Sequence, residues 1–194
     1  MDNINVSTSP NAKKIALKSG LIWAFINIVL FLLVYYAAPQ LLGNMAYGVF
    51  SFLVSIALAV YFVLDLRKKI GGYWSFREAL SSIFVLFFVQ YLVVYAFMFL
   101  FPRVIEPEYN DVLRNASLNA VTEMAESFGG GDQEAIDAMI EQAELALEKQ
   151  LNPSISDALQ AIAISVIMYF VGAMIFAAIF KRERPVFEPV AFEE

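Results

Sequence analysis

Cysteine and histidine are both absent from this chain of 194 residues, and charged side chains are scarce. Without cysteine there are no disulfides and no thiolate metal sites; without histidine there are no imidazole ligands and no Ser–His or Cys–His nucleophile pairs. Carboxylates or a lysine could still act as catalysts, but the side chains that most enzymes and metal sites use are missing. We therefore expect no enzymatic activity, no metal and no cofactor.

What is abundant is apolar surface. Hydrophobic residues make up 60% of the chain, including 18 Phe, and charged residues only 16%. The mean hydropathy is +0.65. Soluble domains carry about a quarter charged residues, so this composition favours a chain whose solvent is the lipid bilayer.

Four apolar runs are long enough to cross a bilayer as helices, at residues 20–38, 45–64, 79–101 and 158–180. Nineteen residues in the first run, at about 1.5 Å each, span roughly the ~30 Å of the hydrocarbon layer. That run exceeds the ~7–15 residues of a signal-peptide core and lacks a small-x-small cleavage pattern, so we interpret it as a retained span. The predicted fold class is an all-α membrane protein with four transmembrane helices.

A basic hinge, residues 65–78 with the sequence DLRKKIGGYWSFRE, separates the second and third runs. A glycine can take the left-handed position after a helix end, and a serine followed three residues later by a glutamate predicts a capping box at the next helix start. The adjacent tyrosine and tryptophan are expected at the level of the lipid headgroups. The residues of this topology and hinge motif are Arg67, Lys68, Lys69, Gly71, Gly72, Ser75 and Glu78.

Ten of the thirteen Lys and Arg residues lie in the N-terminal segment, the hinge and the C-terminal segment. Basic segments next to spans stay on the cytoplasmic side. We therefore expect cytoplasmic N- and C-termini, with residues 1–15 disordered and residues 182–194 a flexible tail. In a bacterium the location is the inner membrane.

The acidic segment, residues 102–157, carries twelve acidic and three basic side chains, a net charge of −9. Apolar residues recur there at helical spacing on both sides of a Gly129-Gly130-Gly131 turn, which predicts a helical hairpin. Because it joins the third and fourth spans on the side opposite to the basic termini and hinge, it is predicted to be extracytoplasmic. Each apolar stripe is narrow, so the two helices are expected to pack on each other or on a partner.

Four uncharged polar side chains fall near the centres of the four predicted spans: Asn27, Ser55, Gln90 and Tyr169. Because an unpaired amide in hydrocarbon costs several kcal/mol, these groups are expected to face inward and to bond to one another. One interpretation is that they hold the helices together; the other is that they line a ligand cavity or a solute path. The absence of an ionisable residue among them favours the first.

The hinge and its flanks carry a family resemblance. The GLIWAFI start of the first span, the hinge run GGYWSFREA and the AAIFKRERP end of the last span resemble a bacterial membrane family catalogued as domain of unknown function 4199. The resemblance implies a four-helix membrane fold and brings no activity, cofactor or catalytic residue.

Two functions remain open at this point. The first is a structural or interaction protein whose acidic hairpin engages an envelope partner. The alternative is a subunit of a small oligomeric transporter or channel, since four helices enclose little volume alone. The expected partners are the lipid bilayer and an envelope protein or, under the alternative, further copies of the chain in a homo-oligomer; no nucleic acid is expected to bind.

Overall fold

The computed structural model describes residues 10–128, 133–151 and 153–183. These residues form six α-helices: α1 (Pro10–Ala37), α2 (Met45–Lys69), α3 (Phe76–Leu100), α4 (Tyr109–Phe128), α5 (Gln133–Leu151) and α6 (Ile155–Phe180). A 3₁₀ turn, Pro39–Leu41, joins α1 to α2, and a π-helical turn, Phe101–Ile105, extends α3. Helices α1, α2, α3 and α6 are long and apolar enough to cross a membrane, which confirms the four predicted spans.

The N-terminal boundary differs from the prediction of a disordered segment over residues 1–15. Residues 1–9 lie outside the described residues, but α1 already begins at Pro10. Its first turns are ordered by packing, because Ala12 and Ala16 are buried and Ile15 contacts the hydrophobic core. The predicted glycine turn at 129–131 and residues 184–194 of the tail lie outside the described residues.

Helix α3 is the centre of the bundle. It packs along α1 on one side and α6 on the other, while α2 lies beside α1. Gly20 allows the close approach of α1 to α3, since a Cβ there would lie 2.8 Å from the carbonyl oxygen of Leu86. Small residues serve this purpose in membrane helix packing, where backbone proximity contributes much of the attraction.

The main hydrophobic core lies at the end of the bundle that carries the hinge, which we call the hinge end. There α2 contributes Phe62, Val63 and Leu66, and α6 contributes Ala173 and Ala177, all buried. By contrast, residues 45–58 of α2 and 155–172 of α6 include no buried residue. The two helices are therefore packed into the core over only part of their length.

The hinge reverses the chain through two glycines in left-handed conformations. Gly71 has φ 104° and Gly72 has φ 83°, values that other residues rarely adopt. The Gly72 N–H donates to the Arg67 carbonyl and the Gly71 N–H to the Lys68 carbonyl, which is the Schellman arrangement at a helix end. Directly after this turn, Ser75 and Glu78 form the predicted capping box at the start of α3.

The hinge also holds the end of α6. Trp74 and Arg182 pair through two backbone hydrogen bonds, of 2.9 and 3.1 Å. The Trp74 indole N–H donates to the Phe180 carbonyl at 2.8 Å, and Arg67 Nη1 donates to the same oxygen at 3.4 Å. Trp74 is 2% exposed, so it is a core residue and not the interfacial aromatic that the sequence predicts.

An aromatic cluster joins the spans to α4 at the opposite end of the bundle. Tyr35, Phe101 and Tyr109 are buried there against one another, with ring centroids 5.4 to 5.7 Å apart. Burial, and to a smaller degree the neighbouring Tyr35, raises the pKa of the Tyr109 hydroxyl. The loop after α1 adds a backbone contact, since a Cβ on Gly43 would lie 2.4 Å from the Ala116 carbonyl oxygen of α4.

Helices α4 and α5 pack against each other. Besides Tyr109, the described part of the pair buries Ala116 and Ala125 of α4 and Ile136 and Leu147 of α5. We call these two helices the α4–α5 pair. It joins the spans mainly through α4, whose first turns contact the aromatic cluster.

Candidate functional site

The structure brings the four polar residues of the span centres to one cavity. Asn27 of α1, Ser55 of α2, Gln90 of α3 and Tyr169 of α6 all line a space of about 360 Å³. Its other lining residues are Trp23, Phe52, Ile56, Ala59, Phe87, Met168, Gly172 and Phe176. All four spans thus contribute a polar group and apolar surface to the same space, whose volume is at the lower end of the ~300–1,000 Å³ of ligand pockets.

The four polar side chains do not bond to one another. All four belong to the described part of the chain, and no hydrogen bond joins any two of them, contrary to the expectation of direct interhelical bonds. The cavity itself separates the helices at this depth. Amides and hydroxyls in such a position remain available to a further molecule.

The cavity has a closed floor and an open rim. The floor consists of α1 and α3, where Trp23 and Gln90 are only 5% and 8% exposed. The rim includes Phe52 of α2 and Met168 of α6, each 64% exposed. Since these rim residues belong to the unpacked portions of α2 and α6, the cavity opens sideways between those two helices.

Two polar groups of the floor have no hydrogen-bond partner among the described residues. The Trp23 indole N–H is fully buried and forms no hydrogen bond, while the ring stacks on Phe62 at 5.6 Å and meets the edge of Phe87 at 5.7 Å. Gln90, although nine-tenths buried, also has no hydrogen bond for its side-chain amide. Unsatisfied buried groups are rare in native structures and often mark a functional position.

A second candidate surface lies on α5. Acidic side chains recur there every three or four residues and therefore share one face of the helix. All five are exposed: Glu134, Asp137, Glu141, Glu144 and Glu148. We call this set the acidic stripe. Asp137 accepts a hydrogen bond from Gln133 at 3.1 Å, whereas Glu141, Glu144 and Glu148 have no salt bridge with any residue that the structure describes.

Comparison with protein-family models identifies the family of the chain. A family model described as Protein of unknown function (DUF4199) matches residues 18–182, which include the four spans, the hinge and the α4–α5 pair. The chain belongs to this family. Comparison with curated proteins and with solved structures finds no match.

The hinge residues lie at a distance from the cavity and have structural contacts of their own. Arg67 bonds to the end of α6, Ser75 and Glu78 cap α3, and Lys69 pairs with Asp65. Lys68 is exposed. These contacts belong to a turn that fastens two helices, and among the described residues no group of three or more carboxylates could hold a metal ion.

Sequence reasoning did not single out Trp23 or Phe87, and it placed Trp74 at the headgroup level instead of in the core. Each is an aromatic residue within or beside an apolar run, where most such side chains face lipid or a neighbouring helix without further role. A small signal was available for Trp23, because it precedes Asn27 by four residues and therefore shares its helix face.

Proposed function

We propose that this multi-pass membrane protein is a structural or interaction protein of the bacterial inner membrane, whose α4–α5 pair engages an envelope partner with a basic surface. The observation that supports this most directly is the acidic stripe on α5. Five carboxylates along fifteen residues extend over roughly 20 Å of helix at 1.5 Å per residue.

Three carboxylates of this stripe are not balanced by an ion pair within the described chain. Glu141, Glu144 and Glu148 have no salt bridge there, and the nearby Lys149 lies exposed on the same helix. A solvated acidic face alone keeps a helix soluble, but a continuous stripe of one sign also steers and orients an oppositely charged surface. We therefore favour a partner that presents Lys or Arg side chains at matching spacing.

The proposed orientation has cytoplasmic termini and hinge, with the α4–α5 pair outside. A chain without cysteine allows a clean test, since each single-cysteine variant carries one reactive thiol. Lys68→Cys and Glu144→Cys both replace exposed side chains. We expect a membrane-impermeant maleimide, added to intact cells, to label Glu144→Cys and not Lys68→Cys. Labelling in the reverse order would contradict the orientation.

The partner proposal is tested by crosslinking from the face of α5. A photoreactive amino acid at Leu145, which is 63% exposed, reports contacts beside the stripe. The variant Glu141→Lys/Glu144→Lys/Glu148→Lys reverses three charges, and we expect it to lose the crosslinked adduct by roughly tenfold or more, since like charges at a contact cost several kcal/mol. The wild-type adduct is also expected to weaken as salt rises, because screening shortens the reach of charge.

The matched control is Gln142→Lys/Gln150→Lys, which adds positive charge to exposed positions of α5 outside the stripe. This variant is expected to keep the adduct. Equal loss in both variants would show a general charge effect and contradict specific docking by the stripe.

The alternative, a subunit of an oligomeric transporter or channel, draws support from the cavity between the spans. Below that cavity the described core contains the fully buried Val63, Leu66 and Ala79 at the hinge end, so one copy offers no polar route past them. A pathway would need a second copy. Strictly monomeric behaviour in mild detergent would count against it.

A further inference from the structure

The cavity between the spans combines two kinds of surface that ligand sites use. Its hydrogen-bonding groups are the amides of Asn27 and Gln90 and the hydroxyls of Ser55 and Tyr169. Its flat apolar walls are aromatic: Trp23, Phe52, Phe87 and Phe176. A few convergent polar groups within an apolar enclosure are the usual composition of a small-molecule site.

The charge of the ligand follows from the lining. None of the residues that line the cavity is acidic or basic. An ion in this position would lack a counter-charge in a medium of low dielectric constant, which is strongly unfavourable. The cavity is therefore suited to an uncharged molecule.

The polar groups determine which atoms the ligand needs. The Gln90 side chain is nine-tenths buried and lines the cavity, yet its amide has no hydrogen-bond partner among the described residues. Asn27 and Ser55 are likewise without one. Amide N–H and hydroxyl groups donate to carbonyl oxygens, so a ligand with such oxygens would satisfy donors that the chain leaves unpaired.

The opening determines the route of entry. The rim residues Phe52, Ile56 and Met168 are exposed on the sides of α2 and α6, where a membrane would place lipid chains. A molecule that reaches the cavity through this gap must itself be soluble in the bilayer.

From these observations we infer that the cavity binds an uncharged, lipid-soluble molecule with a planar ring that bears carbonyl oxygens, the chemistry of a quinone head group. The ring packs against the aromatic walls of Trp23 and Phe87. Its oxygens accept hydrogen bonds from Gln90 and Asn27. This site is separate from the acidic stripe, so either proposal can fail without the other.

The test uses the purified full chain in nanodiscs and a quinone with a shortened tail, such as decylubiquinone. The chain has two tryptophans, of which Trp23 lines the cavity and Trp74 lies in the hinge. We expect the quinone to quench tryptophan fluorescence along a saturable curve. In the variant Trp23→Phe, where Trp74 is the only tryptophan, the saturable part of the tryptophan quenching should disappear. Quenching that rises linearly without saturation in the wild type would overturn the inference.

Polar substitutions then locate the hydrogen bonds. Gln90→Met keeps the length of the side chain and removes its amide, and we expect binding to weaken roughly three- to tenfold, the range for the loss of one neutral hydrogen bond. The matched control is Gln160→Leu, which removes an amide from an exposed position on α6 that does not line the cavity. Thermal unfolding of each variant shows that it is folded. Equal affinity in folded Gln90→Met and wild type would overturn the assignment of Gln90.

A competition experiment distinguishes a quinone from an acyl ester, which also carries carbonyl oxygens. Dioctanoylglycerol has neutral ester carbonyls but no planar ring. We expect it not to displace the quinone at equal concentration, because it cannot stack on the aromatic walls. Recovery of the quenched tryptophan fluorescence on adding dioctanoylglycerol at an equal concentration would overturn the quinone assignment in favour of an acyl ester.

Discussion

The two ends of the bundle are held together in different ways. At the hinge end, Trp74 and Arg67 bond to the last carbonyl of α6, and Trp74 pairs with Arg182 through the backbone. At the opposite end, the buried cluster of Tyr35, Phe101 and Tyr109 joins α1, α3 and α4. Neither α2 nor α6 contributes to that cluster, and the hydrogen bond that joins these two helices among the described residues, from Arg67 to Phe180, lies at the hinge end.

This difference explains why a cavity exists at all. Lipid chains are as apolar as leucine, so apolar side chains alone do not draw two membrane helices together. Hydrogen bonds and close packing draw membrane helices together. Between α2 and α6 these contacts are the hydrogen bond from Arg67 to the Phe180 carbonyl and the packing in the core around Leu66. Away from those contacts the helices separate, and the space between them is the cavity.

The largest expected effect comes from removing the tryptophan of the hinge end. Trp74→Ala deletes a side chain that is 2% exposed and its bond to Phe180, and we expect a loss of about 3–5 kcal/mol in the free energy of unfolding. Phe50→Ala removes an aromatic ring from the unpacked portion of α2, where Phe50 is 63% exposed. That variant should lose well under ~1 kcal/mol, because the ring has little packing to lose.

Unfolding in mixed detergent micelles, followed by circular dichroism, measures both losses. Trp74→Phe refines the result, since it keeps a buried ring and removes only the indole hydrogen bond, worth about 1 kcal/mol. Equal destabilisation by Trp74→Ala and Phe50→Ala would contradict the description of a tightly packed hinge end and an unpacked portion of α2.

A smaller effect is expected where the loop after α1 meets α4. The Cβ of Gly43→Ala would lie 2.4 Å from the Ala116 carbonyl oxygen, so α4 must shift, at a cost of about 1–3 kcal/mol for overpacking. We expect faster amide hydrogen exchange in α4, with α3 unchanged. Gly48→Ala is the matched control, since a Cβ there has nothing within 4 Å. Unchanged exchange in Gly43→Ala would mean that α4 is not held by this contact.

The sequence predicted the elements better than their contacts. Length and hydropathy were enough for the four spans, and the spacing of Ser75 and Glu78 was enough for the capping box, because both signals are local. The cavity could not be predicted, because it depends on how the helices pack. The positions of Asn27 and Gln90 along their spans predicted that they lie at the same depth. They did not predict the gap that keeps the two amides apart. The burial of Trp74 depended on Arg182, more than a hundred residues away, and no local pattern records that pairing.

The smallest expected effect compares two capping boxes of similar geometry at the two ends of the bundle. Ser75 accepts a hydrogen bond from the Glu78 N–H at 3.3 Å at the hinge end, and Ser154 accepts one from the Asp157 N–H at 3.1 Å where α6 begins. Ser75 is partly buried and Ser154 exposed, so water can replace the lost bond more easily at Ser154. We expect Ser75→Ala to cost about 1 kcal/mol and Ser154→Ala about 0.5 kcal/mol, measured by hydrogen exchange in the first turns of α3 and α6. A larger loss of protection at α6 would mean that the cap at its start contributes more to stability than its exposure indicates. The difference between the two ends would then rest only on the hydrogen bonds that Trp74 and Arg67 donate to the Phe180 carbonyl.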